Sequence, residues 1–160
     1  MDFPQRLFTL LRAQVPLLHV RPHEETRFLG MLKDPPKDLQ HLGMTTWDLV
    51  DDFVPLKPGA QPFPNKSCAV AEVLRHVQQA MPEDHVLVLK DFHQPWASKD
   101  RPQITRRLRN LVPRLREKGQ FLVFLTPPLG EREDLPLELK DDVVALDMPL
   151  PDRTELGGLL

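Results

Sequence analysis

Short apolar runs alternate with helix-period segments along this chain. Amphipathic helices are predicted where apolar residues recur about every 3.6 positions, over 4–13, 24–33, 67–81 and 102–118. Buried strands are predicted by five apolar runs: PLLHVR (16–21), MTTWDLV (44–50), HVLVLKDF (85–92), QFLVFLTPP (120–128) and DVVALDMPLP (142–151). Strands that alternate with helices predict a three-layer α/β sandwich with a roughly five-stranded parallel sheet.

Proline and glycine mark where these elements end. The proline-rich stretch 51–65 predicts a loop with a small hairpin. Gly119 stands where the C′ residue of the 102–118 helix is expected, and Pro113 falls opposite its apolar stripe, on the solvent side. The prediction is one domain over residues 1–160, with an N-terminal helix within 1–15 and the start of a lid or linker helix at 152–160.

Composition narrows the class of protein. The 41% hydrophobic and 28% charged residues are close to globular averages, so a packed core is expected. A net charge of −2 gives no overall attraction to nucleic acid or to an anionic membrane. Cys68 is the single cysteine, which suits a reducing compartment, and no apolar run is long enough for a membrane helix. These features predict a cytoplasmic protein with no membrane association.

The turn after the first strand lacks the residues of a phosphate-binding loop. A nucleotide-binding α/β domain would have GxxxxGK[ST] here, so that backbone N–H groups can surround a phosphate. This chain has Arg21, Pro22, His23, Glu24 and Glu25 instead. Without glycine the backbone cannot approach a ligand closely, and proline removes one donor. ATP is therefore not expected to bind in the usual way.

Charged and polar residues nevertheless follow several predicted strands. The carboxyl ends of parallel strands form the ligand-binding edge of an open α/β sheet. Asp91 and His93 could carry out acid–base chemistry there, beside Arg21 and Glu24. Alternatively, Lys90 and Asp91 pair with Arg21 or the two glutamates and have only a structural role. A nucleotide, if bound, would contact Arg21, Glu24, Lys90, Asp91 and Thr126.

A metal site is not expected from the histidines. His19 and His23 are four residues apart, but one lies in a predicted strand and the other in a turn, so they do not share a face. Neither a metal nor another cofactor is predicted.

The segment 101–118 is basic, with seven arginines and lysines against Glu117. It could contact a protein, bind nucleic acid, or be a solvated helix face. No aromatic residues are interleaved, which disfavours stacking with single strands. Trp96, in the loop after the strand 85–92, could anchor an interface or cover the sheet edge. The candidate interaction residues are Trp96, Arg106, Arg107, Arg109, Arg114 and Arg116.

Several stretches resemble a known ATPase-like domain. RAQVPLLHVRPHEE, VLVLKDFH, the RRLRNL helix and LDMPLPDRTEL occur in the order found in the N-terminal, degenerate ATPase-like domain of the AAA+ family encoded by a conserved reading frame of plastids and cyanobacteria, which is also found in bacteria. The resemblance implies an AAA+/RecA-like fold without its phosphate loop. In that family this region precedes an ATPase domain, so the chain is either part of a longer protein or a stand-alone relative.

The resemblance places individual residues. Lys90 occupies the Walker B position of the Mg²⁺-coordinating acid, Asp91 that of the catalytic carboxylate, and Thr126 that of the polar sensor. A lysine cation cannot coordinate Mg²⁺, whose ligands are oxygens. The resemblance therefore implies a domain that is not an enzyme and that pairs with an AAA+ ATPase domain or another protein, with self-association as a further option. The alternative hypotheses are nucleic-acid contact through 101–118 and a small nucleotide- or metal-dependent hydrolase that uses the strand-end crevice, with Asp91, His93, Glu24 and Arg21.

Overall fold

The computed structural model describes residues 1–22, 24–57, 70–92, 99–126, 139 and 141–150. Its four α-helices are α1 (Phe3–Arg12), α2 (Glu25–Lys33), α3 (Val70–Ala80) and α4 (Arg101–Lys118), with a 3₁₀ turn at Lys37–Leu39. Its six strands are β1 (Leu17–Arg21), β2 (Gly43–Asp48), β3 (Asp52–Pro55), β4 (His85–Lys90), β5 (Gln120–Leu125) and β6 (Val143–Asp147). The helices and strands therefore lie close to the positions that the hydrophobic pattern predicts.

The six strands form one sheet in the order β3-β2-β4-β5-β1-β6. Five of them are parallel, as predicted, and β3 pairs antiparallel with β2 at one edge. The hairpin was predicted within 51–65, but β3 pairs instead with β2, which lies before that stretch, and residues 58–65 lie outside the described residues. Asp2, Gln5 and Gly119 cap helices: Asp2 and Gln5 form a capping box on α1, and Gly119 ends α4 with a φ of 64°.

Helices cover both faces of the sheet. Successive side chains of β4 point to opposite faces of the sheet, so this strand contributes to the hydrophobic core on each face. Leu87 and Leu89 face α3 and α4, whereas Val86 and Val88 face α1 and α2. The stripe of α4 expected from the sequence is buried, and Pro113 is exposed on the opposite side of that helix, as predicted. This is the three-layer α/β arrangement. No helix among the described residues is long and apolar enough to cross a membrane.

The strand 44–50 was predicted too long. β2 ends at Asp48, because the side-chain Oδ1 of Asp48 accepts hydrogen bonds from the backbone N–H groups of Val50 (2.8 Å) and Asp51 (2.7 Å). A carboxylate that bonds the backbone two and three residues ahead favours a turn over a continuing strand. Leu49 and Val50 therefore lie in an exposed turn rather than in the core.

Candidate functional site

The carboxyl ends of the parallel strands lie at one edge of the sheet, where α2 begins. We call the polar residues at this edge the strand-end site. Within it the structure describes Arg21, Glu24, Glu25, Lys90, Asp91, Thr126 and Asp147. His93 lies outside the described residues.

Lys90 links β4 to the first turn of α2. Its Nζ lies 3.5 Å from Oε2 of Glu25, and 19% of the lysine side chain is exposed, against 47% for the glutamate. A pairing of Lys90 with one of the two glutamates was one alternative predicted from the sequence, and in the structure that glutamate is Glu25. The ammonium that could attract a phosphate is thus already beside a carboxylate.

Arg21 is also paired, but its partner was not predicted from the sequence. Its Nε and Nη2 donate to the two carboxylate oxygens of Asp147, at 2.7 and 3.2 Å. The two residues are direct neighbours in the parallel register of β1 and β6, which brings a strand-terminal arginine beside a strand-terminal aspartate. The signal for Asp147 was present in the sequence as a charge that follows the apolar run VVAL, but the strand order was needed to pair it.

Thr126 is occupied by a buried hydrogen bond. Its Oγ1 lies 2.7 Å from Nε2 of His19, and both side chains are buried. The contact joins the end of β5 to the middle of β1, so it accounts for a histidine within an apolar strand. No group of three potential metal-binding side chains occurs among the described residues.

The side chains of Asp91 and Glu24 are exposed. Asp91 has a φ of 56°, a conformation that aspartate tolerates better than most residues, and its N–H donates to the carbonyl oxygen of Leu125 at 2.8 Å. Glu24 precedes α2 without a side-chain hydrogen bond to the helix end. The strand ends therefore bring Lys90, Glu25, Arg21 and Asp147 together as two separate pairs.

A second polar site lies on the outer side of α4, next to α3. A groove of about 600 Å³ is lined by Gln78 of α3 and by Pro102, Gln103, Arg106, Arg107, Asn110, Leu111 and Arg114 of α4. We call it the arginine groove. It contains three of the candidate interaction residues, whereas Arg109 and Arg116 do not line it. Trp96 lies outside the described residues.

One buried ionisable group lies at the opposite edge of the sheet. His85, at the start of β4, is buried and its Nε2 lies 2.8 Å from Oγ1 of Thr45. Burial lowers the pKa of His85 to about 4, with a further contribution from the positive charge of Lys57. The imidazole is therefore neutral at physiological pH and serves the packing of β2 against β4.

Comparison with known proteins identifies a family that this chain matches. Residues 3–148 match the family described as SpoVK-like AAA ATPase, N-terminal domain. The chain is 26% identical over 157 residues to the uncharacterized AAA domain-containing protein ycf46 of Guillardia theta, covering 98% of this chain and 29% of that protein. It is 23% identical over 157 residues to ycf46 of Pyropia yezoensis, covering 98% of this chain and 30% of that protein. The chain thus spans less than a third of the length of these relatives.

Proposed function

This chain belongs to the SpoVK-like AAA ATPase N-terminal domain family, and we propose that it is a non-catalytic interaction or regulatory module that accompanies an AAA+ ATPase domain. The observation that carries the proposal is the pairing at the strand ends. Both described cations of the strand-end site, Lys90 and Arg21, lie against carboxylates rather than facing an open crevice.

The entry to α2 is unsuited to a phosphate. Helix N-termini bind anions through free N–H groups and the positive end of the helix dipole. Here the helix starts with Glu24 and Glu25 after Pro22, so two carboxylates stand where the phosphates would need to lie. A bound triphosphate would have to displace Glu25 from Lys90 and overcome the repulsion of both glutamates.

The metal-binding half of the usual mechanism also lacks its first ligand. Mg²⁺ is coordinated by oxygens, and the Walker B position of its carboxylate is held by Lys90. Asp91 remains, but phosphoryl transfer requires the phosphate cradle, the metal and a positioned water together. These losses lie on two different strands and both support a module that does not hydrolyse ATP.

The family supplies the class of partner. The ycf46 relatives are named for an AAA domain and are more than three times as long as this chain. We propose an AAA+ ATPase domain as the partner, either in the same polypeptide of a longer protein or in a separate chain. A cytoplasmic location suits a chain with a single cysteine.

Phosphate release tests both halves of this proposal. The chain alone, with ATP and Mg²⁺, should release no more phosphate than buffer, and Asp91→Ala should not change this. The chain should bind the ATPase domain of the Guillardia theta relative, or of its own longer protein, and change that domain's rate of hydrolysis. Release by the isolated chain that Asp91→Ala lowers would favour the hydrolase alternative. Failure both to bind and to alter the rate would contradict the module.

A further inference from the structure

The turn between β2 and β3 presents two large apolar side chains to solvent. Leu49 is 57% exposed and Val50 is 87% exposed, and three carboxylates surround them. We call residues 48–52 the β2–β3 tip. Adjacent exposed apolar residues of this size are a recognised feature of docking surfaces.

The tip is held in place rather than free to adjust. The two hydrogen bonds that Oδ1 of Asp48 accepts from the turn fix the backbone that carries Leu49 and Val50. An ordered tip loses less conformational freedom when it binds, so its apolar contacts contribute more to affinity.

The carboxylates of the tip repel one another. Asp48 and Asp52 are directly opposite in the β2–β3 register, and Asp51 lies between them along the chain. Like charges opposite each other across two strands are destabilising. The tip is therefore acidic, and a cationic surface would attract it.

The arginine groove has the complementary features. Pro102 provides exposed apolar surface, and the three arginines Arg106, Arg107 and Arg114 provide positive charge. No carboxylate is among its described lining residues, and Nε of Arg114 is buried without a hydrogen-bond partner among them. A volume of about 600 Å³ is within the range of sites that enclose small groups.

We infer that the β2–β3 tip of one copy docks into the arginine groove of a second copy of this chain. Leu49 and Val50 would lie against Pro102, and Asp51 would approach the guanidinium groups, which bind carboxylates through paired hydrogen bonds. Tip and groove are different surfaces, so the contact is head-to-tail. The exposure of Leu49 and Val50 shows that the tip does not occupy the groove of its own copy.

The charge distribution of the whole chain favours this arrangement. The segment 101–118 has seven basic residues and one acidic residue, whereas the rest of the chain has 14 basic and 22 acidic residues. Two copies therefore attract when α4 of one faces the acidic surface of the other. The same distribution disfavours nucleic acid, because acidic residues outnumber basic ones in the rest of the chain.

Sedimentation of the full chain tests the inference. The wild-type chain should assemble as its concentration rises from micromolar to millimolar, and added salt should weaken the assembly. A groove variant, Arg106→Glu with Arg107→Glu, and a tip variant, Leu49→Ser with Val50→Ser, should each remain monomeric. Arg109→Glu with Arg116→Glu is the matched control, because it makes the same charge change on α4 outside the groove, and it should weaken assembly much less than the groove variant does.

Mixing the two variants gives the sharpest result. The groove variant keeps its tip and the tip variant keeps its groove, so an equimolar mixture should form a 1:1 dimer and nothing larger. Circular dichroism of each variant checks that it is folded.

A wild-type chain that stays monomeric at every concentration would overturn the inference, as would folded variants that assemble like the wild type. A monomer whose groove binds an oligonucleotide would overturn it in favour of nucleic-acid contact. None of these outcomes bears on ATP hydrolysis, so this inference and the proposed function fail separately.

Discussion

At the scale of single residues, His85 links stability to pH. Its pKa in the folded chain is about 4, below the ordinary value of 6.5, because the buried imidazole resists protonation. The unfolded chain therefore binds the proton more readily between these two values. The contribution of His85 is fully present above pH 6.5 and is lost as the pH falls towards 4.

We expect the titration of His85 to lower the free energy of unfolding by up to about 3 kcal/mol as the pH falls through that window. Urea unfolding of the wild type and of His85→Gln between pH 4 and 7 measures the difference, since both lose the same carboxylate contributions. The variant should lose less stability on acidification than the wild type. Parallel pH profiles would show that His85 does not titrate in this way.

Gly43 is required by the same histidine. A Cβ at Gly43 would overlap the imidazole ring of His85, which is buried and hydrogen-bonded to Thr45 and so cannot easily move. We expect Gly43→Ala to destabilise the chain by roughly 1–3 kcal/mol, the usual cost of overpacking.

Gly30→Ala is the matched control for that prediction. Gly30 lies inside α2 with nothing within 4 Å of an added Cβ. Alanine should therefore stabilise the helix by about 0.5–1 kcal/mol. Equilibrium unfolding in urea measures both variants. Equal effects of the two substitutions would contradict the assigned contact.

At the scale of elements, an ion pair between Lys90 and Glu25 links the end of β4 to the first turn of α2. Lys90→Asp puts an acid at the position that the resemblance assigns to the Walker B carboxylate, but it places that carboxylate against Glu25. We expect this variant to gain no affinity for Mg²⁺ with ATP, because α2 still begins without a phosphate loop. We expect it to lose at most about 1 kcal/mol of stability, since Glu25 is half exposed.

Lys90→Met separates the charge from the packing, because it keeps an unbranched apolar stem at the same position. Thermal unfolding and calorimetric titration with ATP and Mg²⁺ measure both variants. Recovery of nucleotide binding by Lys90→Asp alone would show that the loss of one acid, and not the absent loop, closed the site.

The elements themselves were largely predictable from the sequence. Apolar runs give the strands because both faces of a parallel sheet are covered, and α4 was recognisable from its stripe and from Gly119. The end of β2 was not, because the run MTTWDLV continues to Val50 while the Asp48 carboxylate turns the backbone. The hydrophobic pattern alone does not reveal a hydrogen bond between a side chain and the backbone.

The candidate site was predictable only as a set of residues. Strand ends predicted that Arg21, Lys90 and Thr126 would share one edge of the sheet. Their partners depended on strand order, which places Arg21 beside Asp147. The contact of Thr126 with His19 is diagonal, because Phe124 is the register partner of His19 and Thr126 lies two residues beyond it. The arginine groove depends on how α3 packs on α4, so the sequence could not separate Arg114, which lines it, from Arg116, which does not.

At the scale of the whole molecule, this is an ATPase-like framework in which the strand-end cations are paired with carboxylates. In such folds, ligands bind at the edge of the sheet formed by the carboxyl ends of the parallel strands. Here β1 is joined to β6, and β4 to α2, by ion pairs across that edge. Under the proposed function, the scaffold is kept without ATP hydrolysis and its outer surfaces contact other proteins.

Thermal unfolding with and without millimolar ATP and Mg²⁺ tests this account most directly. A ligand at a hundredfold excess over its dissociation constant would add about 2.7 kcal/mol to the unfolding free energy. We predict no shift of the unfolding midpoint. A rise of several degrees that Asp91→Ala removes would contradict the account and identify the strand-end site as a working nucleotide site.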